Sequence, residues 1–236
     1  MRPLIIAHRG DSSRALENSI ESIRLAFSIP VDMIEFDIRK SRDNRLYVLH
    51  DQHTGRTADQ NINIEKSRQE EIAGVRLNNG EIIPALRDIL TLVSGRAGLY
   101  IEIKSDHAGA LCAEELLRTG YEGPILLSSF KEKEVQEARR VNPRLAIALI
   151  CDTFSLKELD NYAAQGYRII SLRKNAVTPN LLAACHERQI QVYVWTVDKE
   201  EEIKEFITLG VDGIISNRPS VLKRLVEAEA NGGLCY

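Results

Sequence analysis

Four short stretches of the chain carry the residue types that proton transfer and metal binding require: His8-Arg9-Gly10, Glu35-Phe36-Asp37, His50-Asp51 and Glu102-Ile103-Lys104. Each lies at or beside an apolar run of strand length. Strand side chains alternate, so Glu35 and Asp37 share one face, as do Glu102 and Lys104. Carboxylates that converge in buried surroundings repel one another, and burying them without compensation is costly. A divalent cation relieves that conflict. Glu35, Asp37 and Glu102 would offer it oxygen ligands alone, which suits Mg²⁺ or Ca²⁺ and suits zinc poorly. The competing reading is a plain ion network of these acids with Arg9, Arg39 and Lys104, and four charged run ends in succession weigh against it.

His8 and His50 are two of the five histidines. An imidazole beside charge titrates in the range that proton transfer needs near neutral pH. Arg9 and Lys104 supply fixed positive charge for a phosphate, and Gly10 lets the backbone approach a ligand closely. Trp195, the single tryptophan, ends a strand where its face can pack against a small ligand, with core packing the alternative. His53, His107 and His186 read as solvated.

These groups need a frame to bring them together. Short runs rich in Ile, Val, Leu and Tyr recur at Leu4 to Ala7, Met33 to Ile38, Leu46 to Leu49, Leu99 to Ile103, Ile125 to Leu127, Leu145 to Ile150, Arg168 to Leu172, Val192 to Val197 and Gly213 to Ile215. Amphipathic helical patterns lie between most of them, with Pro179 and Pro219 at starts and Gly120, Gly166 and Gly210 at ends. The alternation predicts one domain, residues 1–230, with a parallel sheet. Eight strands close a (β/α)₈ TIM barrel, so one of the nine runs must lie outside its wall. Only 13 positions separate Asp37 from His50. That is too few for a helix plus a strand, so the chain must return in extended form through Ser41-Arg42-Asp43-Asn44. Residues 54–80 show no strong apolar period and read as a mostly polar excursion over the barrel mouth. Residues 231–236 read as a frayed tail.

Thirty-one Lys and Arg against 34 Asp and Glu give a net charge of −3, with the signs mixed throughout. This excludes an electrostatic nucleic-acid footprint and a polybasic membrane anchor. The four cysteines, Cys112, Cys151, Cys185 and Cys235, are too scattered for a metal knuckle and read as free thiols. Leu4 to Ala7 is far short of a signal-peptide core and no run approaches a membrane span, so a cytoplasmic protein without a stable membrane anchor is expected. Nothing in the chain specifies an oligomeric state.

The residues resemble those of the glycerophosphodiester phosphodiesterases, over nearly the whole chain. The ordered set that carries the resemblance is Ala7-His8-Arg9-Gly10, Glu17-Asn18, Glu35-Phe36-Asp37, His50-Asp51 with Arg56-Thr57, Ile83-Pro84-Ala85-Leu86, Glu102-Ile103-Lys104, Ser128-Ser129-Phe130, Val194-Trp195-Thr196-Val197 and Gly210-Val211-Asp212-Gly213-Ile214-Ile215. The resemblance implies a distorted (β/α)₈ barrel with no helix between strands 2 and 3. It also implies one divalent cation on Glu35, Asp37 and Glu102, His8 and His50 as acid and base, and phosphate held by Arg9 and Lys104. The implied reaction is hydrolysis of a glycerophosphodiester to sn-glycerol 3-phosphate and an alcohol, by water or through a cyclic phosphate. Leu16, Ser19, Asp198, Ser216-Asn217 and Asp11 depart from the usual pattern and bear on substrate preference. The alternatives are a lysophospholipase D and a non-catalytic phosphate-binding barrel. The polar excursion favours small, water-soluble diesters over lysophospholipids.

Overall fold

A computed structural model of the protein describes residues 2–230 and residue 232. The expected frayed tail, Gly232 excepted, and Cys235 fall outside the described residues. The strands are β1 Leu4–Ala7, β2 Met33–Lys40, β3 Leu46–Val48, β4 Gly98–Ile103, β5 Ile125–Ser129, β6 Ala146–Cys151, β7 Ile169–Arg173, β8 Gln191–Trp195 and β9 Gly213–Ser216. They form one sheet in the order β1-β9-β8-β7-β6-β5-β4-β2-β3, and a further β1–β2 pairing closes it. The wall is therefore eight parallel strands, a (β/α)₈ barrel.

The ninth run is β3. It lies outside the wall, antiparallel on β2, with Ile38 opposite Val48 and Lys40 opposite Leu46. No helix intervenes between them. A turn at Ser41 to Asn44, with Asn44 in the left-handed region, reverses the chain. The path to the next stave, β4, then runs through an excursion over the mouth and the helix α3, Leu86–Val93.

Alternation along the staves sorts the side chains into two sets. Ile34, Phe36, Ile38, Leu99, Ile101 and Ile103 face outward and are buried beneath the surrounding helices. Ile6, Met33, Tyr100, Leu126, Ala148, Tyr193 and Ile215 face inward and fill the lower barrel. One layer higher on the same inward faces stand His8, Glu35, Glu102, Ser171 and Trp195. The barrel is thus apolar below and chemically equipped above, because the inward positions change type toward the C-terminal ends of the strands.

The excursion differs from its expected character. Residues 54–80 lack periodicity, yet Ala58, Ile64, Ile72, Val75 and Leu77 come together with Tyr47, Leu49 and Ile83 in a small second core. The short helix Gln69–Ile72 (α2) and isolated bridges Ala58–Leu77 and Arg76–Ile82 bring them into contact. The apolar residues named turn inward, and the charged ones lie at the surface. His186 also departs from a purely solvated role: its Nε2 lies 2.9 Å from Asp212.

One buried carboxylate outside the site secures a helix start. Glu134, on α5 (Glu132–Val141), accepts from the backbone N–H groups of His107, Ala108 and Gly109 at 2.8, 2.9 and 2.9 Å. These open α4, Gly109–Thr119. A Cβ at Gly109 would lie 2.0 Å from the Glu134 carbonyl, so only glycine fits. Glu134→Ala should lower the unfolding free energy by about 2 to 4 kcal/mol by orphaning three donors at a positive helix end. Urea titration measures this, and a loss below about 0.5 kcal/mol would contradict it. Among the described residues, no helix is long and apolar enough to cross a membrane.

Candidate active site

The three acids converge as their alternation predicts. Asp37 on β2 and Glu102 on β4 stand side by side in register, and Glu35 stands on the same face as Asp37. Each offers an oxygen, and these oxygens all lie within 4.8 Å of one another. All three residues are buried. Lys104 Nζ lies 2.5 Å from Glu102 and 3.2 Å from Asp37. Arg9 Nε lies 3.2 Å from Asp37, while its Nη1 donates to Glu17 at 2.8 Å. Arg39 takes no part, because it turns to Glu65 and to the His50 carbonyl, both at 2.7 Å. The acids are therefore only partly neutralised by protein cations.

Their protonation reflects that shortfall. Burial, then repulsion from Asp37 and Glu102, pushes Glu35 well above the ordinary glutamate range. Burial and Asp37 likewise raise Glu102 to about 7. Burial also acts on Asp37, but Lys104 and Arg9 outweigh it and hold that group below the usual range. Asn18 fixes Asp37 further: its amide donates to Oδ2 at 2.8 Å and its carbonyl accepts from the Asp37 N–H at 3.2 Å. Glu35 Oε1 has no hydrogen-bond partner, and Asp37 Oδ1 and Glu102 Oε1 meet Lys104 without a well-formed hydrogen bond. Three buried carboxylates turned toward one another, with one oxygen unpartnered and two sharing the single ammonium of Lys104, are the donor set of a hard cation. The residues present fit one.

His8 and His50 border the same cavity of about 260 Å³, together with Arg9, Glu35, Glu102 and Lys104. His8 Nδ1 lies 2.6 Å from Asn217 Oδ1. The Asn217 amide N–H₂ donates to Asp198 at 2.7 Å, which fixes the amide so that its oxygen faces the ring. His8 therefore carries its proton on Nδ1 and leaves Nε2 open, 3.9 Å from Glu35. Burial and Arg9 lower His8 to about 4, so it is neutral near pH 7. His50 has a different setting. Its Nδ1 lies 2.6 Å from Asp51, which pairs with Arg56 at 2.5 Å. Arg56 reaches Glu17, and Glu17 returns to Arg9. Burial lowers His50 too, while Asp37 and Asp51 oppose the shift.

Trp195 sits at the cavity wall, half-buried. Phe130 meets it edge to face at 5.7 Å, and the Arg173 guanidinium lies 5.6 Å over its ring. His8, Arg9, Glu35, His50, Glu102, Lys104 and Trp195 thus line this mouth, Asp37 stands beside Glu102, and Gly10 does not reach it but brings its backbone close to Ser22. Asn18, Asn217 and the Glu17–Arg56 tie had no assigned role in the sequence. Asn18 and Asn217 work through partners 19 and 209 positions away, a separation that leaves no local signal. Asp198 and Asn217 had stood out only as departures, and in space they are one hydrogen-bonded pair behind His8.

A (β/α)₈ barrel carrying histidines, cations and an acid triad at the C-terminal ends of its strands belongs to the class of barrel enzymes that act on phosphate esters. Comparison with known proteins places it within that class. The Glycerophosphoryl diester phosphodiesterase family matches residues 8–221. A glycerophosphodiester phosphodiesterase of Caldanaerobacter subterraneus subsp. tengcongensis is 32% identical, over 96% of this chain and 98% of that protein. Among solved structures, a glycerophosphodiester phosphodiesterase of Parabacteroides distasonis superposes with a TM-score of 0.87 at 25% identity, covering 97% of this chain and 98% of that one. A phosphodiesterase of Oleispira antarctica, solved with the product sn-glycerol-3-phosphate, gives 0.89 at 21% identity over 96% and 97% of the two chains. The chain belongs to the glycerophosphoryl diester phosphodiesterase family, and it is an enzyme of that kind, a phosphoric diester hydrolase.

Proposed function

We propose that residues 1–230 act as one domain that hydrolyses glycerophosphodiesters to sn-glycerol 3-phosphate and an alcohol, with one Mg²⁺ or Ca²⁺ on Glu35, Asp37 and Glu102. The observation that carries this reading is the convergence of three buried carboxylates beside two differently supported histidines in one cavity. The product complex of the Oleispira antarctica enzyme supports the substrate class. A bound cation would neutralise phosphoryl charge and polarise the ester for attack. Arg9 and Lys104, anchored by the acids, add fixed positive charge at the same phosphate. His8, neutral with Nε2 open, accepts the proton of the attacking oxygen, whether from water or from the neighbouring glycerol hydroxyl. His50, whose ring Asp51 holds, delivers a proton to the departing alcohol. Release of sn-glycerol 3-phosphate from glycerophosphocholine, lost on adding EDTA and restored by Mg²⁺ or Ca²⁺, tests the reading. No release under any cation overturns it.

The preferred substrates are small and water-soluble. The excursion buries Ala58, Ile64, Ile72, Val75 and Leu77 in its own core, so it offers no apolar rim for a lipid tail. We expect kcat/KM for glycerophosphocholine to exceed that for lysophosphatidylcholine below its micelle concentration. The reverse order would instead favour a lysophospholipase D.

A further inference from the structure

His50 follows β3, a strand of only three residues, yet its ring must be aimed at the cavity. The Leu49 N–H donates to the Asp37 carbonyl at 3.1 Å, and one residue later a side chain takes over the task. Arg39 Nε donates to the His50 carbonyl at 2.7 Å. The other arm of that guanidinium is held from the excursion: Arg39 Nη1 donates to Glu65 Oε1 at 2.7 Å. The same carboxylate accepts from Ser105 Oγ at 2.6 Å and, through Oε2, from Gln52 Nε2 at 2.8 Å. Ser105 directly follows Lys104, and its hydroxyl accepts from the Lys40 N–H at 3.0 Å. One carboxylate thus joins β2, the segment after β3 and the segment after β4. These are the three pieces of chain that carry Asp37, His50 and Lys104.

Glu65 is itself firmly placed. Ile64 before it is fully buried in the second core, and its N–H donates to the Gln52 carbonyl at 3.0 Å. Asn63 Oδ1 accepts from the Glu65 N–H at 3.0 Å. The side chains of Arg39 and Glu65 are 14% and 27% exposed, so solvent screens their pairing only in part. Burial alone would raise Glu65, but Ser105, Gln52 and Arg39 outweigh it and hold the carboxyl below the ordinary glutamate range. It therefore stays charged near neutral pH. A guanidinium is a rigid planar fork, and holding both prongs fixes its plane. Released from Glu65, the long Arg39 side chain regains rotamers and loosens its hold on the His50 carbonyl. A displacement of about 1 Å at an acid or base is enough to cost on the order of a hundredfold in rate.

We propose that Glu65 is a positioning residue for His50: acting through Arg39, it fixes the backbone from which the imidazole reaches the departing alcohol. This rests on the hydrolysis of glycerophosphodiesters and the role of His50 proposed above, and it adds a task for the excursion. The excursion then does more than border the mouth. It supplies the carboxylate that sets one catalytic ring against the acids and Lys104 on the barrel wall. Glu65 touches neither phosphate nor cation, so its influence runs through the histidine alone.

Two esters and one double variant test this. Wild-type and Glu65→Ala enzymes are compared on glycerophosphocholine, whose choline must be protonated as it leaves, and on the p-nitrophenyl ester of sn-glycerol 3-phosphate, whose nitrophenolate needs no proton. On glycerophosphocholine the variant should lose roughly ten- to a hundredfold in kcat, the range of a charge-assisted hydrogen bond, with KM little changed. On the nitrophenyl ester the loss should shrink. In a His50→Ala background, Glu65→Ala should cost nothing further, because residues that act through one group are not additive. Arg39→Lys keeps the positive charge but cannot serve both partners from one fork, so it should reproduce the same pattern and carries the test if Glu65→Ala fails to fold. A loss of equal size on both esters, or one that persists in full without His50, is the mark of a general structural effect or of one through Lys104, and overturns the proposal. So does wild-type kcat in the variants. Wild-type enzyme that splits neither ester would instead overturn the hydrolytic function itself.

Discussion

Glu102→Gln should cut cation-dependent turnover by roughly a hundredfold or more, since loss of a direct ligand costs at least as much as loss of a supporting one. The substitution keeps the shape of the side chain and removes the charge that makes three buried acids a cation site. Calorimetric titration of Mg²⁺ or Ca²⁺ into the variant should show weakened binding in step with the lost activity. The pH dependence in the wild-type protein has a definite sign. Glu102 titrates at about 7 and Glu35 also sits well above its ordinary range without a cation. Protons therefore compete with the cation below about 7, and affinity should rise as pH increases through that value. A Glu102→Gln protein with unchanged cation binding and turnover, or an affinity that falls with rising pH, would sink the cation site.

His8→Ala and His50→Ala should each lower kcat by about 10²- to 10⁴-fold, the usual contribution of a positioned acid or base. The two losses should respond differently to the leaving group. A nitrophenyl ester departs without needing a proton, so the His50→Ala defect should shrink on such a substrate while the His8→Ala defect persists. This asymmetry follows from the settings: burial lowers both rings, but His8 falls to about 4 with an open Nε2, whereas Asp37 and Asp51 oppose the shift at His50, which takes up a proton more readily than His8. Equal rescue of both variants by a good leaving group would refute the assignment of roles. Near-full activity in either would refute the pair.

Much of this site was legible in the chain because strand chemistry is local. Glu35 and Asp37, two apart on one run, had to share a face, and the apolar residues around them had to be buried. The short return after Asp37 was legible for the same reason, since chain length alone excludes a helix there. What the third run would do was not. Leu46–Val48 has the composition of a stave, and only its antiparallel pairing with β2 shows that it lies outside the wall. Pairing partners are set by the whole sheet, not by the run. The small core of the excursion was hidden because Ile64, Val75 and Leu77 follow no regular period and are gathered by isolated bridges. The support behind His8 was hidden by distance along the chain. Asp198 and Asn217 looked like two unrelated departures, and together they keep one carboxylate and one amide in contact.

The second core has a consequence for cooperativity. Arg56 arrives with the excursion, whereas Glu35, Asp37 and Glu102 belong to the staves, His8 directly follows one, and His50 follows β3 with its carbonyl held by Arg39 of β2. The acids are locked into a closed ladder of strands, and the excursion is held by a cluster of far fewer side chains and by bridges of single residues. Segments with few buried apolar contacts open at lower free energy than the body they rest on. The excursion is thus the part that opens most easily while the ladder stays closed, and Arg56, which braces Asp51 behind His50, goes with it. The ion pairs from Arg56 to Glu17 and Asp51 are the clasp against that opening. They lie at the surface and weaken as ionic strength rises. Catalysis and barrel integrity are therefore separable properties of this chain, and the first is the more fragile.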